Sequence, residues 1–129
     1  MTMKNIMTIG WLLGALTLSA ATHADTIRVG TTQALSGDYQ EFGEEQMRGL
    51  RMWVNDINAR GALLGQQVEL VHYDDHSKAD RSAWLYKKLI NEDKVDLLVG
   101  PYSSDITLAA SAATEELNFP MVASAASAD

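Results

Sequence analysis

The sequence predicts an α/β fold: a parallel sheet with helices on its faces, in the manner of a partial Rossmann-like lobe. Three observations point there. Short runs rich in β-branched residues alternate with longer stretches whose apolar residues recur at helical spacing, in the order β-α-β-α-β-α-β. One short run, Val95–Val99 (VDLLV), is nearly continuously apolar, as a central parallel strand should be. Gly100-Pro101 ends that run and leads straight into a helix, so the connections fit right-handed crossovers rather than hairpins.

Each element has its own signal. Thr26–Ala34 (TIRVGTTQA) reads as the first strand, followed by a turn around Ser36-Gly37-Asp38. From about Phe42 to Ala59 the spacing predicts a helix, with Met47, Leu50, Val54 and Ile57 on one apolar stripe. Gly61 stops it, and Arg60 stands near its negative end. Gln67–Asp74 reads as a second strand whose partial alternation suggests a sheet edge. Ser77 is expected to cap the next helix, with Asp80 at the reciprocal capping position. That helix runs to about Asn91 with Ala83, Tyr86, Leu89 and Ile90 inward. After the third strand, Ser103 or Ser104 caps a third helix to about Leu117, with Ile106, Ala109 or Ala110, Ala113 and Leu117 as its stripe. Pro120–Ala123 starts a fourth strand with no helix after it, so the chain is expected to be a fragment of something larger.

Residues 1–24 differ in kind from the rest. Lys4 is the only charge before Asp25, Ile6–Ala21 is mainly apolar, and Thr22-His23-Ala24 offers small residues where a signal peptidase reads. A secretory leader cleaved after Ala24 is expected, since the apolar stretch falls short of the ~20 residues of a membrane span. The remaining residues 25–129 form a single unit. The chain has 129 residues, 47% of them hydrophobic, which fits one globular domain. Its formal net charge of −7 argues against a nucleic-acid partner, which calls for a basic face. Cys is absent, which removes disulfides, thiolate metal sites, cysteine nucleophiles and a lipid anchor.

In an open α/β sheet, ligands bind beyond the carboxyl ends of the strands. Four segments reach that edge: Leu35–Gly43, Asp74–Ser77, Gly100–Ser104 and Ser124–Asp129. Gly100-Pro101-Tyr102-Ser103-Ser104 carries the strongest signal. Hydroxyls and unsatisfied amides at a helix start suit an anion such as a carboxylate. The plainer reading makes Ser104 a helix cap, and the two roles can coexist. His72, Asp74 and His76 invite a metal reading, because an extended strand places them on one side. A polar strand exit explains the same residues, and no metal or other cofactor is expected. A phosphorylation receiver needs an acceptor Asp after strand three, where Gly100-Pro101 stands. No G-x-S-x-G elbow occurs, and His23, His72 and His76 assemble no nucleophile–base–acid set, so no enzyme is expected. Trp53 and Trp84 read as packing residues beside the helix stripes, and Glu41, Glu44 and Glu45 as a solvated helix face.

Several segments carry a resemblance when taken together. They are Ile27-Arg28-Val29-Gly30; Leu35-Ser36-Gly37 with Gly43; Asp56-Ile57-Asn58-Ala59-Arg60-Gly61 with Leu64-Gly65; Tyr73-Asp74-Asp75; Gly100-Pro101-Tyr102-Ser103-Ser104; and the Ala/Ser loop after strand four. In this order and spacing the chain resembles the leucine/isoleucine/valine-type periplasmic binding proteins, type I solute-binding components of ABC importers. The resemblance implies two α/β lobes that trap a ligand between them, with residues 25–129 as the N-terminal part of the first. It implies that Ser104 supplies its hydroxyl and amide to a solute carboxylate and that Ala125 offers a carbonyl to an ammonium. Ser127 would bond to either group, Phe42 would line the side-chain pocket, and Tyr102 and Ser103 would flank it. Asp105 would be unfavourable if it faced inward.

The implied solute is a small amino acid, branched-chain or similar, or an amide. The implied partners are the importer's membrane subunits, engaged by the full-length protein, itself expected to be a monomer in the periplasm. With the second lobe and hinge outside the chain, solute binding by it alone is expected to be weak or absent. The competing expectations are a ligand-binding sensor domain of a signalling receptor and a fragment without independent function.

Overall fold

The computed structural model describes residues 26–127, so the expected leader and its cleavage point after Ala24 lie outside the described residues. The elements run β1 (Ile27–Gln33), α1 (Gln40–Ala59), β2 (Val68–Asp74), α2 (Ala79–Asn91), β3 (Leu97–Val99), α3 (Ser104–Glu115) and β4 (Met121–Val122). The order is the one the hydrophobic pattern predicts.

All strand pairs are parallel, in the sheet order β2-β1-β3-β4. β1 pairs with β2 along its whole length, from Ile27 opposite Val68 to Gln33 opposite Asp74. On its other side it pairs with β3, from Val29 opposite Leu97 to Thr31 opposite Val99. The chain therefore moves outward from β1 to β2, then back across β1 to β3. Right-handed crossovers place α1 on one face and α2 and α3 on the other, where those two helices pack together. The reversal opens a crevice at the carboxyl ends of β1 and β3, the usual ligand position in such sheets.

The core lies under α2 and α3. Tyr86, Leu89, Val95, Leu98 and Ala110 are buried together, with Val71, Tyr73, Ile90, Phe119 and Met121 packed around them. Strand pleating puts Val71, Tyr73, Leu98 and Met121 on that face. Gly30 lies between them, and a Cβ there would come within 3.0 Å of Leu98 and 3.1 Å of Val95, so its missing side chain lets these residues close over β1.

Four local expectations need correction. The third strand is shorter than Val95–Val99: Val95 enters the core, while the Asp96 amide donates to the Arg28 carbonyl at 2.8 Å. That strand is not covered on both faces. α1 packs mainly on β1 and β2, and Leu97 remains 47% and Val122 70% exposed. Ser77 does not cap α2; Lys78 stands at the N-cap and no side chain closes it. The Ser77 hydroxyl instead donates to the Ser36 carbonyl at 2.8 Å and accepts from the Tyr39 amide at 3.0 Å. Finally, α3 ends at Glu115, and Leu117 lies in the turn beyond it. Of the paired alternatives, Ser103 is the α3 cap and Ala110 the core residue. β2 stands at the sheet edge and Gly61 follows the α1 cap, both as the sequence predicts.

Candidate ligand-binding edge

The carboxyl edge of the sheet is built from two pairs of loops. The first pair joins residues 34–39 after β1 to residues 75–78 after β2. Asp74 is its hub: its carboxylate accepts from the Leu35 amide at 3.0 Å, the Ser36 hydroxyl at 2.8 Å and the His76 amide at 2.8 Å. Partial burial works to raise its pKa, but these hydrogen bonds and nearby His76 outweigh that and hold the carboxyl below its ordinary value. Asp75 behaves in the opposite way. It is fully buried, and desolvation pushes its carboxyl up despite bonds from the Thr32 hydroxyl at 2.9 Å and the Ser77 amide at 3.0 Å; the Asp74 charge adds to the rise. Gly37 makes the turn at φ 86°, and a Cβ there would stand 2.7 Å from the His76 carbonyl oxygen.

This frame aims α1 at the crevice. Gly43 passes so close to the end of β1 that a Cβ would lie 2.2 Å from the Ala34 carbonyl oxygen. The close approach brings Phe42 onto Tyr102 in a parallel stack, with centroids 4.9 Å apart and planes 6° apart. Tyr39 meets Tyr102 edge-on at 5.7 Å. Phe42 remains 51% exposed, so the stack presents an apolar wall to the outside.

The second pair of loops joins residues 100–104 to residues 123–127. Ser103 takes a positive φ of 77°, and its hydroxyl accepts from the Ile106 amide at 3.4 Å. It also donates to the Asp105 carboxylate. Because Ser103 caps the helix, the Ser104 hydroxyl faces the other loop and accepts from the Ser127 amide at 3.0 Å. Tyr102 and Ala125 form a parallel bridge one step away. Ser104, Ala125 and Ser127 thus converge beside the Tyr102–Phe42 stack at the α3 N-terminus. A cavity of about 350 Å³ lined by Ser104, Thr107, Leu108, Met121, Ala123 and Ala126, among others, opens next to them. Asp105 is exposed, and the Ser103 bond holds its carboxyl below the ordinary value, so it is engaged with the cap.

Chemically, this corner offers neutral hydroxyls, backbone amides and the positive end of a helix against an aromatic wall. It suits the charged head and apolar tail of a small zwitterion. The metal trio does not assemble. His72 Nε2 lies 3.2 Å from Arg51, His76 Nδ1 lies 2.7 Å from the Ser36 hydroxyl, and no metal-holding group of three acidic, His or Cys side chains occurs among the described residues.

The sequence places Tyr39 and Ser124 on the ligand edge without a role and does not mark Gln33 or Gln46. Tyr39 had a signal, being an aromatic one helical turn before Phe42. The other three act through contacts between residues 24 to 78 positions apart, which no local pattern marks.

Comparison with known proteins agrees with this geometry. The profile of the periplasmic binding protein family matches residues 26–129. The Leu/Ile/Val/Thr-binding protein of Salmonella typhimurium is 32% identical over 114 residues, which are 88% of this chain and 31% of that protein. The Leu/Ile/Val-binding protein of Escherichia coli is 31% identical over 114 residues. Among solved structures, the branched-chain amino acid transporter substrate-binding protein of Streptococcus pneumoniae, in complex with isoleucine, matches with a TM-score of 0.78 at 31% identity. That match covers 81% of this chain and 30% of the other. The chain spans 31% of the length of the curated relatives named here. The parallel sheet, its reversal at β1 and β3, the profile match over 26–129 and the solved relatives together place the chain in the periplasmic binding protein family, type I.

Proposed function

We propose that this region forms one wall of the solute cleft in the extracytoplasmic binding component of an ABC importer. The solute is a small amino acid, branched-chain or similar, or a small amide. The observation that carries the reading is the convergence of Ser104, Ala125 and Ser127 on the α3 N-terminus beside the Phe42–Tyr102 stack. In this reading Ser104 gives its hydroxyl and amide to the solute carboxylate, and the Ser127 amide turns from Ser104 toward the same group. The Ala125 carbonyl accepts from the ammonium, with the Ser127 hydroxyl beside it. Tyr102 and Phe42 take the apolar side chain, and Ser103 keeps the helix start open by capping it. Charge-assisted bonds of this kind strengthen when water is excluded, and closure of a second lobe supplies that exclusion.

The same reading assigns residues 1–24 to a leader removed after Ala24 and residues 25–129 to lobe I. It places the full-length protein in the periplasm as a monomer that delivers solute to membrane subunits. The Salmonella typhimurium relative is a Leu/Ile/Val/Thr-binding protein, that of Escherichia coli a Leu/Ile/Val-binding protein, and the Streptococcus pneumoniae structure holds isoleucine; this similarity supports the solute class.

A thermal-shift screen tests it with leucine, isoleucine, valine and acetamide on the full-length two-lobed protein and on its Ser104→Ala variant. The expected result is stabilisation by at least one solute at millimolar concentration, lost in the variant. No shift with any of them, or equal shifts in both proteins, would overturn the reading.

A further inference from the structure

We propose that the Gly100 carbonyl oxygen is the joint that sets the spacing between the two halves of this edge, with Gln33, Ser124 and Gln46 as its positioning residues. The inference rests on the reading of the edge as a solute site. Gln33 is fully buried at the end of β1, and its amide nitrogen donates to the Gly100 carbonyl at 3.3 Å and to the Thr31 hydroxyl at 3.0 Å. The Ser124 hydroxyl donates to the same Gly100 carbonyl at 3.3 Å. A carbonyl oxygen has two lone pairs, and these two donors use both. Ser124 accepts in turn from the Gln46 amide nitrogen on α1. The Gly100 amide closes the group by donating to the Val122 carbonyl at 2.8 Å.

Four segments therefore meet at one peptide group. β1 supplies Gln33, and α1 supplies Gln46 four residues beyond Phe42. The β3–α3 loop carries Tyr102, Ser103 and Ser104, and the β4 loop carries Ala125 and Ser127. The joint is tightly packed: a Cβ on Gly100 would stand 3.2 Å from the Ala123 Cα and 3.4 Å from the Val122 carbonyl oxygen, so the β4 backbone would have to give by a few tenths of an ångström. The orientation of Gln33 is fixed as well, because turning its amide over would set two carbonyl oxygens against each other. The side-chain oxygens of Gln33 and Gln46 are both buried without a hydrogen-bond partner. Burying an amide oxygen unsatisfied is costly, so each glutamine is held by what its nitrogen does rather than by what its oxygen does. The arrangement registers the aromatic wall on α1 against the polar corner at α3 and β4.

Amide hydrogen exchange followed by NMR on the chain without solute tests this directly. Ser124 is exposed, so Ser124→Ala leaves the core intact. In that variant the Gly100 and Ser127 amides are expected to exchange about fivefold faster, the effect of losing one hydrogen bond. The Leu89 amide in the core should not change, and Ser124→Thr, which keeps the hydroxyl, should restore wild-type exchange. Gln46→Met should reproduce the acceleration at Ser127 more weakly. Unchanged exchange at Gly100 and Ser127 in Ser124→Ala would overturn the proposal, as would equal acceleration at Leu89. The readout needs no ligand. A full-length protein that responds to no solute therefore sinks the functional reading separately, and the exchange result still decides this one.

Discussion

At the β1–β2 end of the ligand edge, one carboxylate takes three hydrogen bonds and ties two loops together, over Thr32, Gln33 and Asp75, all fully buried. At the β3–β4 end, the Ser127 amide donates to the Ser104 hydroxyl, the Ser124 hydroxyl donates to the Gly100 carbonyl, Tyr102 bridges to Ala125, and the last strand leaves Val122 70% exposed. The first end is a frame and the second is a set of adjustable parts. Segments with few buried contacts open locally at lower free energy than the core does. The aromatic wall spans the two: Phe42 and Tyr39 stand on the frame, while Tyr102 and the residues assigned to the solute's charged head sit on the other half.

Substitutions can break this contrast, and the largest effect belongs to the frame. Gly43→Ala puts a methyl group against the Ala34 carbonyl, which is backbone and cannot rotate away. A loss of about 3 kcal/mol in denaturant unfolding is expected. A loss below about 1 kcal/mol would mean that α1 shifts easily and that the wall is not fixed. Next comes Asp74→Ala, which strips three bonds from the loop pair and should cost about 2 kcal/mol at neutral pH.

The two adjacent aspartates sharpen the contrast through pH. The Asp74 value is lowered on folding, so its stabilisation is present above the ordinary aspartate value of 3.8 and is lost as pH falls through the folded value. The Asp75 value is raised, so its contribution is full below 3.8 and is lost as pH rises through the folded value. Relative to Asp75→Asn, the wild type should therefore gain melting temperature on acidification from pH 7 toward about 4. Relative to Asp74→Asn, it should lose melting temperature only on further acidification. Parallel curves for wild type and both variants would remove the electrostatic account.

The smaller effects lie on the adaptable half and the wall. Ser103→Ala removes the α3 cap and should cost about 1 kcal/mol. The same change would test the Asp105 assignment, because without the Ser103 bond its carboxyl should titrate closer to the ordinary value, as followed by NMR. Phe42→Ala removes an exposed ring and one stacking contact, so about 0.5–1.5 kcal/mol of stability is at stake. Its main consequence should be weaker response to leucine than to alanine in the same titration.

The sequence made the frame's outline legible and its joints illegible. Hydrophobic period and turn residues are local, so the order of elements, the edge position of β2, the Gly61 stop and the Gly100–Ser104 entry to α3 could be read directly. Ser77 could not, because its hydroxyl is drawn to Ser36 and Tyr39, about forty positions away, in preference to the cap that local pattern suggests. The exposure of Leu97 was hidden for a related reason: apolar continuity shows that a strand can be buried, not which helix reaches it. The resemblance implies that Ser104 and Ser127 face one solute; the bond from the Ser127 amide to the Ser104 hydroxyl is a contact that no sequence pattern marks. The bonds that join Gln33, Gly100 and Ser124 span 67 and 24 positions, so no local pattern marks them.

The central claim is that the α3 N-terminus and the β4 loop receive the charged head of a small solute. Amide chemical shifts during titration with leucine test it most directly, with 3-methylbutylamine (no carboxylate) and 4-methylpentanoate (no ammonium) as controls. The account predicts that leucine moves the Ser104 and Ser127 amides, that 4-methylpentanoate moves the same amides less, and that 3-methylbutylamine leaves Ser104 in place. Movement of Ser104 by the amine as much as by leucine, or movement confined to residues away from this edge, would contradict it.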